Sequence, residues 1–227
     1  MIRFILMDIE GTTTSISFVH EVLFPYASNH MEAFIRENAS ESNVQAELAS
    51  VKKTVMEERQ QSLSDEQAIQ QMLQWIKEDR KHTALKTLQG YLWKKGYENG
   101  EYKGHIYDDV VPVMEKWRAA DIQMGIYSSG SVEAQKLLFG YSEKGDLTPF
   151  LSVYFDTNVG HKREASSYHN IQKQLDMPAG EILFLSDIKE ELDAAKEAGF
   201  QTVQLVRPGT HPCQNHLTVS YFYQLEI

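Results

Sequence analysis

The stretch that most limits what this chain can become is Phe4-Ile5-Leu6-Met7, four apolar residues followed at once by Asp8. A short apolar run bounded by turn residues reads as a strand buried on both faces, and such strands belong to parallel sheets. Ile9, Glu10, Gly11 and three threonines, Thr12 to Thr14, come next. Asp8 and Glu10 point the same way if the strand persists, and are close neighbours in any case. Ligands in open α/β sheets gather at the carboxyl ends of strands, so two carboxylates stand here where chemistry is expected. Asp and Gly are also ordinary turn formers, which is the plain structural alternative.

The second half of the chain repeats this texture. The pattern predicts a helix over Asp109 to Ala120 with Val113 and Trp117 inward, then a strand over Ile122 to Tyr127. Ser131 caps a helix running to Leu138, Val153 to Phe155 is a short strand, and Ser166 to Leu175 is helical. Ile182 to Leu185 is a further strand, and the helix after it ends at Ala198 with Gly199 as its stop. Thr202 to Val206 is the last clear strand, with a short edge element over Tyr221 to Ile227. Strands alternating with helices indicate an α/β fold with a doubly wound parallel sheet.

Between these halves the strand signal disappears. Phe24-Pro25-Tyr26 marks a break, and from about Ala27 to Leu92 the apolar residues fall at helical spacing. Met31, Phe34 and Ile35 share one face, as do Val44, Leu48, Val51 and Val55. Ser64 with Gln67 three positions on is a capping box, opening a helix that buries Ile69, Met72, Leu73 and Ile76. Leu85, Leu88, Leu92 and Trp93 continue the pattern, and Gly96, Asn99 and Gly100 mark the exit. The expected organisation is a core of residues 1–16 and 105–227 with a helical domain, 17–104, inserted after the first strand.

Composition removes whole classes of function. A net charge of −10 leaves no cationic footprint for nucleic acid or an anionic membrane. An acidic protein can still take a phosphorylated small molecule through a local device: a metal ion, a lysine or backbone amides. Cys213 is the single cysteine, which excludes an internal disulfide and a cysteine-based metal cluster. Met1 leads straight toward the first strand without a basic and apolar leader, and no apolar run is long enough to span a bilayer. A cytoplasmic protein is expected.

Three more strand ends carry groups complementary to Asp8 and Glu10. Tyr127-Ser128-Ser129-Gly130-Ser131 offers hydroxyls and amides to an anion. Gly160-His161-Lys162-Arg163 brings a lysine to a loop before a helix, and Leu183-Phe184-Leu185-Ser186-Asp187 ends a buried run on an acid, with Glu191 beyond it. Taken singly, the serine turn is ordinary helix capping, the lysine a solvated surface charge, and Ser186 or Asp187 an N-cap.

In this order the four segments resemble the motifs of the haloacid dehalogenase superfamily of phosphatases. The likeness is closer still to the enolase-phosphatase E1 family, the acireductone synthases of methionine salvage. It rests on Asp8 to Thr14, Leu23-Phe24-Pro25-Tyr26, Thr83-Ala84-Leu85-Lys86 with Leu88-Gln89-Gly90, and the run from Tyr127 to Gly140. Gly160-His161-Lys162 and Val206-Arg207-Pro208-Gly209 fit as well, so the resemblance covers Asp8 to about Gly209. Glu10 stands where the superfamily more often has Asp, as this family has it, and its role as a proton shuttle is left open.

The resemblance implies a mechanism. Asp8 would be the nucleophile, and Mg²⁺ would be held by Asp8, by Glu10 through its backbone carbonyl, and by Asp187. Lys162 would neutralise phosphoryl charge, Ser128 and Ser129 would donate hydrogen bonds, and Glu191 would orient Lys162 or a water from behind. Glu10 is the first choice for protonating the leaving oxygen and activating water. The substrate implied is a small phosphorylated diketone, enolised and then dephosphorylated, and the implied assembly is a monomer. The helical insertion would act as a cap, with Lys86 and Gln89 reaching the diketone and Trp93 or Tyr91 packing on its tail, or with all four serving as helix surface and helix core. The rival readings are a capped Mg²⁺-dependent phosphatase for another small phosphoester and a receiver-type signalling domain that keeps its aspartyl-phosphate. The large insertion and Glu10 oppose the receiver, and a full set of acids, hydroxyls and lysine opposes an inactive binding module.

Overall fold

A computed structural model describes residues 1–78, 80 and 82–227. The chain divides into two compact units, Met1–Phe18 with Lys103–Ile227 and, between them in sequence, Val19–Tyr102. These junctions fall two residues later and two residues earlier than the sequence suggested. Gly104 explains the second: its amide donates to Tyr141 O at 2.9 Å and its carbonyl accepts from Glu143 N at 2.9 Å, which ties it to the sheet-bearing unit.

That unit is built on a six-stranded, wholly parallel sheet in the order β3-β2-β1-β4-β5-β6. The strands are β1 Phe4–Met7, β2 Gln123–Tyr127, β3 Val153–Phe155, β4 Ile182–Ser186, β5 Gln201–Leu205 and β6 Leu217–Val219. Every residue of β1 and β4 is buried, as a strand covered on both faces requires. Phe4, Leu6, Tyr127, Phe155 and Phe184 pack with Tyr168, Ile171 and Leu192, which belong to helices α8 (Ala165–Leu175) and α9 (Lys189–Glu197). The doubly wound α/β reading therefore holds, with the other crossovers made by α6 (Val110–Ala119) and α7 (Val132–Gly140).

The edge element is where expectation and structure part. It is β6, not Tyr221–Ile227, which instead carries a 3₁₀ turn at Phe222–Gln224. Three residues with little burial carry no periodic signal. What seats β6 is pairing to Val203, Gln204 and Leu205 of β5.

The second unit contains helices α2 (Phe24–Glu37), α3 (Ser42–Arg59), α4 (Asp65–Lys77) and α5 (Thr83–Glu98). Short α1 (Ile16–Phe18) and a π-helical turn at Val19–Leu23 precede α2. Pro25 sits in the first turn of α2, where its missing N–H costs nothing, so the expected break is a helix start. Ser64 and Gln67 form the reciprocal capping box at α4. That helix buries Ala68, Ile69, Met72 and Trp75, while Leu73 and Ile76 are only partly covered. Trp75 is fully buried among Val51, Val55, Leu85 and Leu88 in the unit's own apolar core.

Candidate active site

The strand order decides what meets Asp8. β1 lies between β2 and β4 in matched register, Met7 opposite both Ile126 and Leu185. Asp8 therefore emerges beside the ends of both neighbours, and its amide donates to Leu185 O at 2.9 Å. The strand stops at Met7 and does not persist to Glu10. Instead the amides of Thr13 and Thr14 both bond Ile9 O at 3.0 Å, and Thr13 Oγ1 donates to Asp8 O at 3.2 Å, closing a tight loop. Gly11 turns this loop with φ +74°, and a β-carbon there would lie 2.6 Å from the carboxyl carbon of Asp187. Glycine is thus required twice, by conformation and by space.

Asp8, Lys162 and Glu191 form one buried cluster, exposed by 3, 5 and 8% respectively. The Lys162 ammonium donates to Asp8 Oδ1 and lies 2.7 Å from Glu191 Oε2, while Ser186 Oγ donates to that same Glu191 oxygen at 2.9 Å. Burial works against the ammonium, but the charges and hydrogen bonds of the two carboxylates outweigh it and hold the lysine pKa above its ordinary range. Asp187 has no such partner. Its carboxyl is pushed up to about 7, first by burial and then by the charges of Asp8 and Glu191, and its Oδ1 is buried without a hydrogen bond. Burial and Asp8 likewise raise Glu191, with Lys162 opposing.

Three carboxylates thus answer to one ammonium. That imbalance is the chemistry of a cation site, because a buried anion with no donor is costly. No group of three or more His, Cys, Asp or Glu side chains among the described residues is arranged to hold a metal. Asp8 and Asp187 are two, and Mg²⁺ commonly takes one or two carboxylates and completes its six positions with carbonyls, substrate oxygens and water. The residues present fit such an ion.

The other residues singled out from sequence are placed as follows. Glu10 is half-buried and bridges to Thr14 across the loop. Ser128 is buried, its amide on Phe155 O at 3.1 Å and its Oγ accepting from Gly130 N at 3.1 Å; Ser129 is exposed. Lys86 and Gln89 lie on α5 of the helical unit, the first exposed and the second buried. Trp93 in the same unit donates its indole N–H to Leu23 O at 2.9 Å.

A family model for haloacid dehalogenase-like hydrolases matches residues 2–199. An enolase-phosphatase E1 from Hahella chejuensis is 54% identical over 227 residues, covering all of this chain and 96% of the relative. One from a Picosynechococcus species is 50% identical over 222 residues, 98% of this chain and 97% of that one. The chain belongs to the enolase-phosphatase E1 family. Its solved relatives include the UTR4 protein of Saccharomyces cerevisiae, 37% identical with a TM-score of 0.82, covering 99% of this chain and all of that one. CbbY of Rhodobacter sphaeroides, 16% identical with a TM-score of 0.61 and 99% and 96% coverage, shares the fold.

Membership of the E1 family makes the chain a hydrolase of the phosphatase type, acting on a small phosphorylated substrate. Several residues that shape this strand-end cluster have no catalytic signature in sequence. Ser186 reads as a cap, yet it also holds Glu191. Gln135 lies buried on α7 and donates to Gly130 O at 2.8 Å and Phe155 O at 2.9 Å, pinning the serine loop to the end of β3. A lone glutamine among Leu137, Leu138 and Phe139 was the available signal. Arg207, quoted above only as part of a matching segment, donates through Nε and Nη2 to Thr12 O at 3.2 and 3.1 Å.

Proposed function

We propose that this chain is the bifunctional enolase-phosphatase of methionine salvage. It enolises 2,3-diketo-5-methylthiopentyl 1-phosphate and hydrolyses the phosphate to give acireductone. What carries the reading is the buried charge imbalance at the strand ends: Asp8 and Glu191 both pair with Lys162, while Asp187 stands beside them with no ion pair of its own among the described residues and the more distant charge of Lys162 opposing its burial.

Phosphate monoesters are so slow to hydrolyse that enzymes supply up to ~10²¹-fold acceleration. Asp8 attacks phosphorus, forming the aspartyl-phosphate as the bond to the leaving oxygen breaks. Lys162, fixed by Glu191, keeps its positive charge beside Asp8 and offsets the charge of the incoming phosphoryl group. Ser128 donates a hydrogen bond from its hydroxyl to a phosphoryl oxygen while its Oγ stays oriented by Gly130 N, and Ser129 donates a hydrogen bond from the same turn. Glu10 protonates the leaving oxygen, then takes a proton from the water that cleaves the aspartyl-phosphate. Asp8 and Asp187 with their carboxylates, and Glu10 with its backbone carbonyl, would hold Mg²⁺. When bound, that ion supplies charge neutralisation at phosphoryl oxygens and at a developing enolate oxygen. Lys86 and Gln89 of the helical unit would bind the diketone.

The test follows enol absorbance and free phosphate together, for wild type and Asp8→Asn, on the diketone phosphate with Mg²⁺. Wild type is expected to release both products and Asp8→Asn to lose phosphate release by at least ~10³-fold, of the order seen when a covalent nucleophile is removed. Phosphate from generic esters without turnover of the diketone would refute the substrate assignment.

A further inference from the structure

The loop that presents Lys162 belongs to no helix or strand, yet three successive carbonyls of it are each met by a side-chain hydroxyl. Tyr127 donates to Gly160 O at 3.0 Å, Ser167 to His161 O at 2.7 Å, and Tyr168 to Lys162 O at 2.7 Å. All three donors are buried, at 0% exposure for each. They come from two different elements, the last residue of β2 and the first turn of α8. The two tyrosine rings meet edge to face, 5.6 Å apart at 79°, so each hydroxyl is aimed by a packed ring. Gly160 has φ +134°, and a β-carbon there would lie 3.0 Å from Ser167 Cβ, so the loop runs close against the helix that carries two of its donors.

We propose that Tyr127, Ser167 and Tyr168 are positioning residues of the phosphatase site, a hydroxyl clamp that fixes the backbone under Lys162 and so fixes its ammonium between Asp8 and Glu191. The proposal rests on the role given to Lys162 above. A lysine side chain has many rotamers, and its charge is useful only at one place. The carboxylates define that place from one end, and the clamp defines it from the other by holding the carbonyl of Lys162 itself. Burial keeps both phenols protonated, and hence donors, well above the ordinary pH range. Tyr168 has the largest effect because its bond is to Lys162 directly. Its phenylalanine variant leaves a buried carbonyl without a donor, which the loop relieves only by moving.

The experiment is a double-mutant cycle. Tyr168→Phe is made in the wild-type chain and in Lys162→Ala, and each protein is assayed for kcat and KM on the diketone phosphate. Calorimetric binding of inorganic phosphate with Mg²⁺ present gives the same cycle where turnover is too slow to measure. In the wild-type background Tyr168→Phe is expected to weaken kcat/KM and phosphate binding by about tenfold, which corresponds to ~1.4 kcal/mol. With Lys162 already removed, the same change is expected to cost less than about twofold, because groups acting through one another are non-additive. Equal losses in both backgrounds, or no loss in the wild type, overturns the clamp. Normal turnover and phosphate binding by Lys162→Ala alone would instead overturn the role of Lys162, a result the single variant reveals by itself. Tyr127→Phe, which acts at Gly160, carries the identical cycle if Tyr168→Phe does not fold.

Discussion

Gly11 holds a left-handed conformation with its missing side chain facing Asp187. An alanine there meets a conformational cost of ~1–2 kcal/mol and drives its methyl group into the carboxyl. Gly11→Ala is therefore expected to displace Asp187 and weaken Mg²⁺ binding by at least ~tenfold, the factor that 1.4 kcal/mol represents, as measured by titration calorimetry. Unchanged Mg²⁺ affinity would show that Asp187 does not hold the ion. The same aspartate makes stability depend on pH. Its carboxyl titrates at about 7 in the folded chain, raised by burial and by Asp8 and Glu191, against ~3.9 when unfolded. The folded state thus favours the proton: the contribution is complete below about pH 4 and is lost as pH rises to about 7. A cation that neutralises Asp187 removes that loss. Mg²⁺ is expected to raise the Tm more at about pH 8 than at about pH 5.5, and an equal rise at both would contradict the assignment.

Among the elements, two helix starts show how much a local signal can specify. At Ser64 the side chain accepts from Gln67 N at 3.2 Å while Gln67 Oε1 accepts from Ser64 N at 2.9 Å. This is contained in four residues and was legible as such. Ser64→Ala is expected to cost the helical unit ~1 kcal/mol, read as a lower urea midpoint with unchanged slope. Ser131 caps α7 by the first of these bonds alone, its side chain accepting from Ala134 N at 3.3 Å. Helix α7 has a second duty that its local pattern does not announce, since Gln135 on its buried face bonds the end of β3, twenty residues away. Gln135→Leu is expected to raise the KM for the phosphate ester severalfold, on the order of one hydrogen bond of ~1 kcal/mol, with less change in kcat. An unaltered KM would mean that the serine loop keeps its shape without that anchor.

For the molecule as a whole, Arg207 joins several distant segments of the sheet-bearing unit. It reaches Thr12 O, Asp109 and Ser220 O, and stacks over Tyr107 at 4.1 Å; Asp109 in turn accepts from Phe222 N at 2.6 Å. The loop that follows Asp8, the start of α6 and the C-terminal stretch are thereby tied to one buried ion pair, with side chains 3 and 8% exposed. Removing one partner of such a pair leaves the other charge buried. Arg207→Ala is expected to destabilise the protein by ~3–5 kcal/mol, measured by denaturant unfolding. A loss near zero would mean that water enters and solvates Asp109.

Periodicity is a property of neighbours along the chain, so it settled what depends on neighbours. The buried strands, the inserted helices, the capping box and the acids, hydroxyls and lysine at strand ends could all be read from residue order, as could the family they resemble. The end of β1 at Met7, the place of β6 and the burial of Trp75 in preference to Ile76 could not, because pairing and packing partners decide them. The same division runs through the site. Lys162 reaches Asp8 across 154 residues, and it does so because β1 lies between β2 and β4, an order that no local pattern encodes. Only the folded sheet decides that Asp8 and Glu191 pair with one ammonium, that Asp187 has no ion pair among the described residues, and that hydroxyls from β2 and α8 hold the lysine loop. Sequence determines which groups exist and on which elements; distances of a few ångströms between far-separated residues arise only when those elements pack.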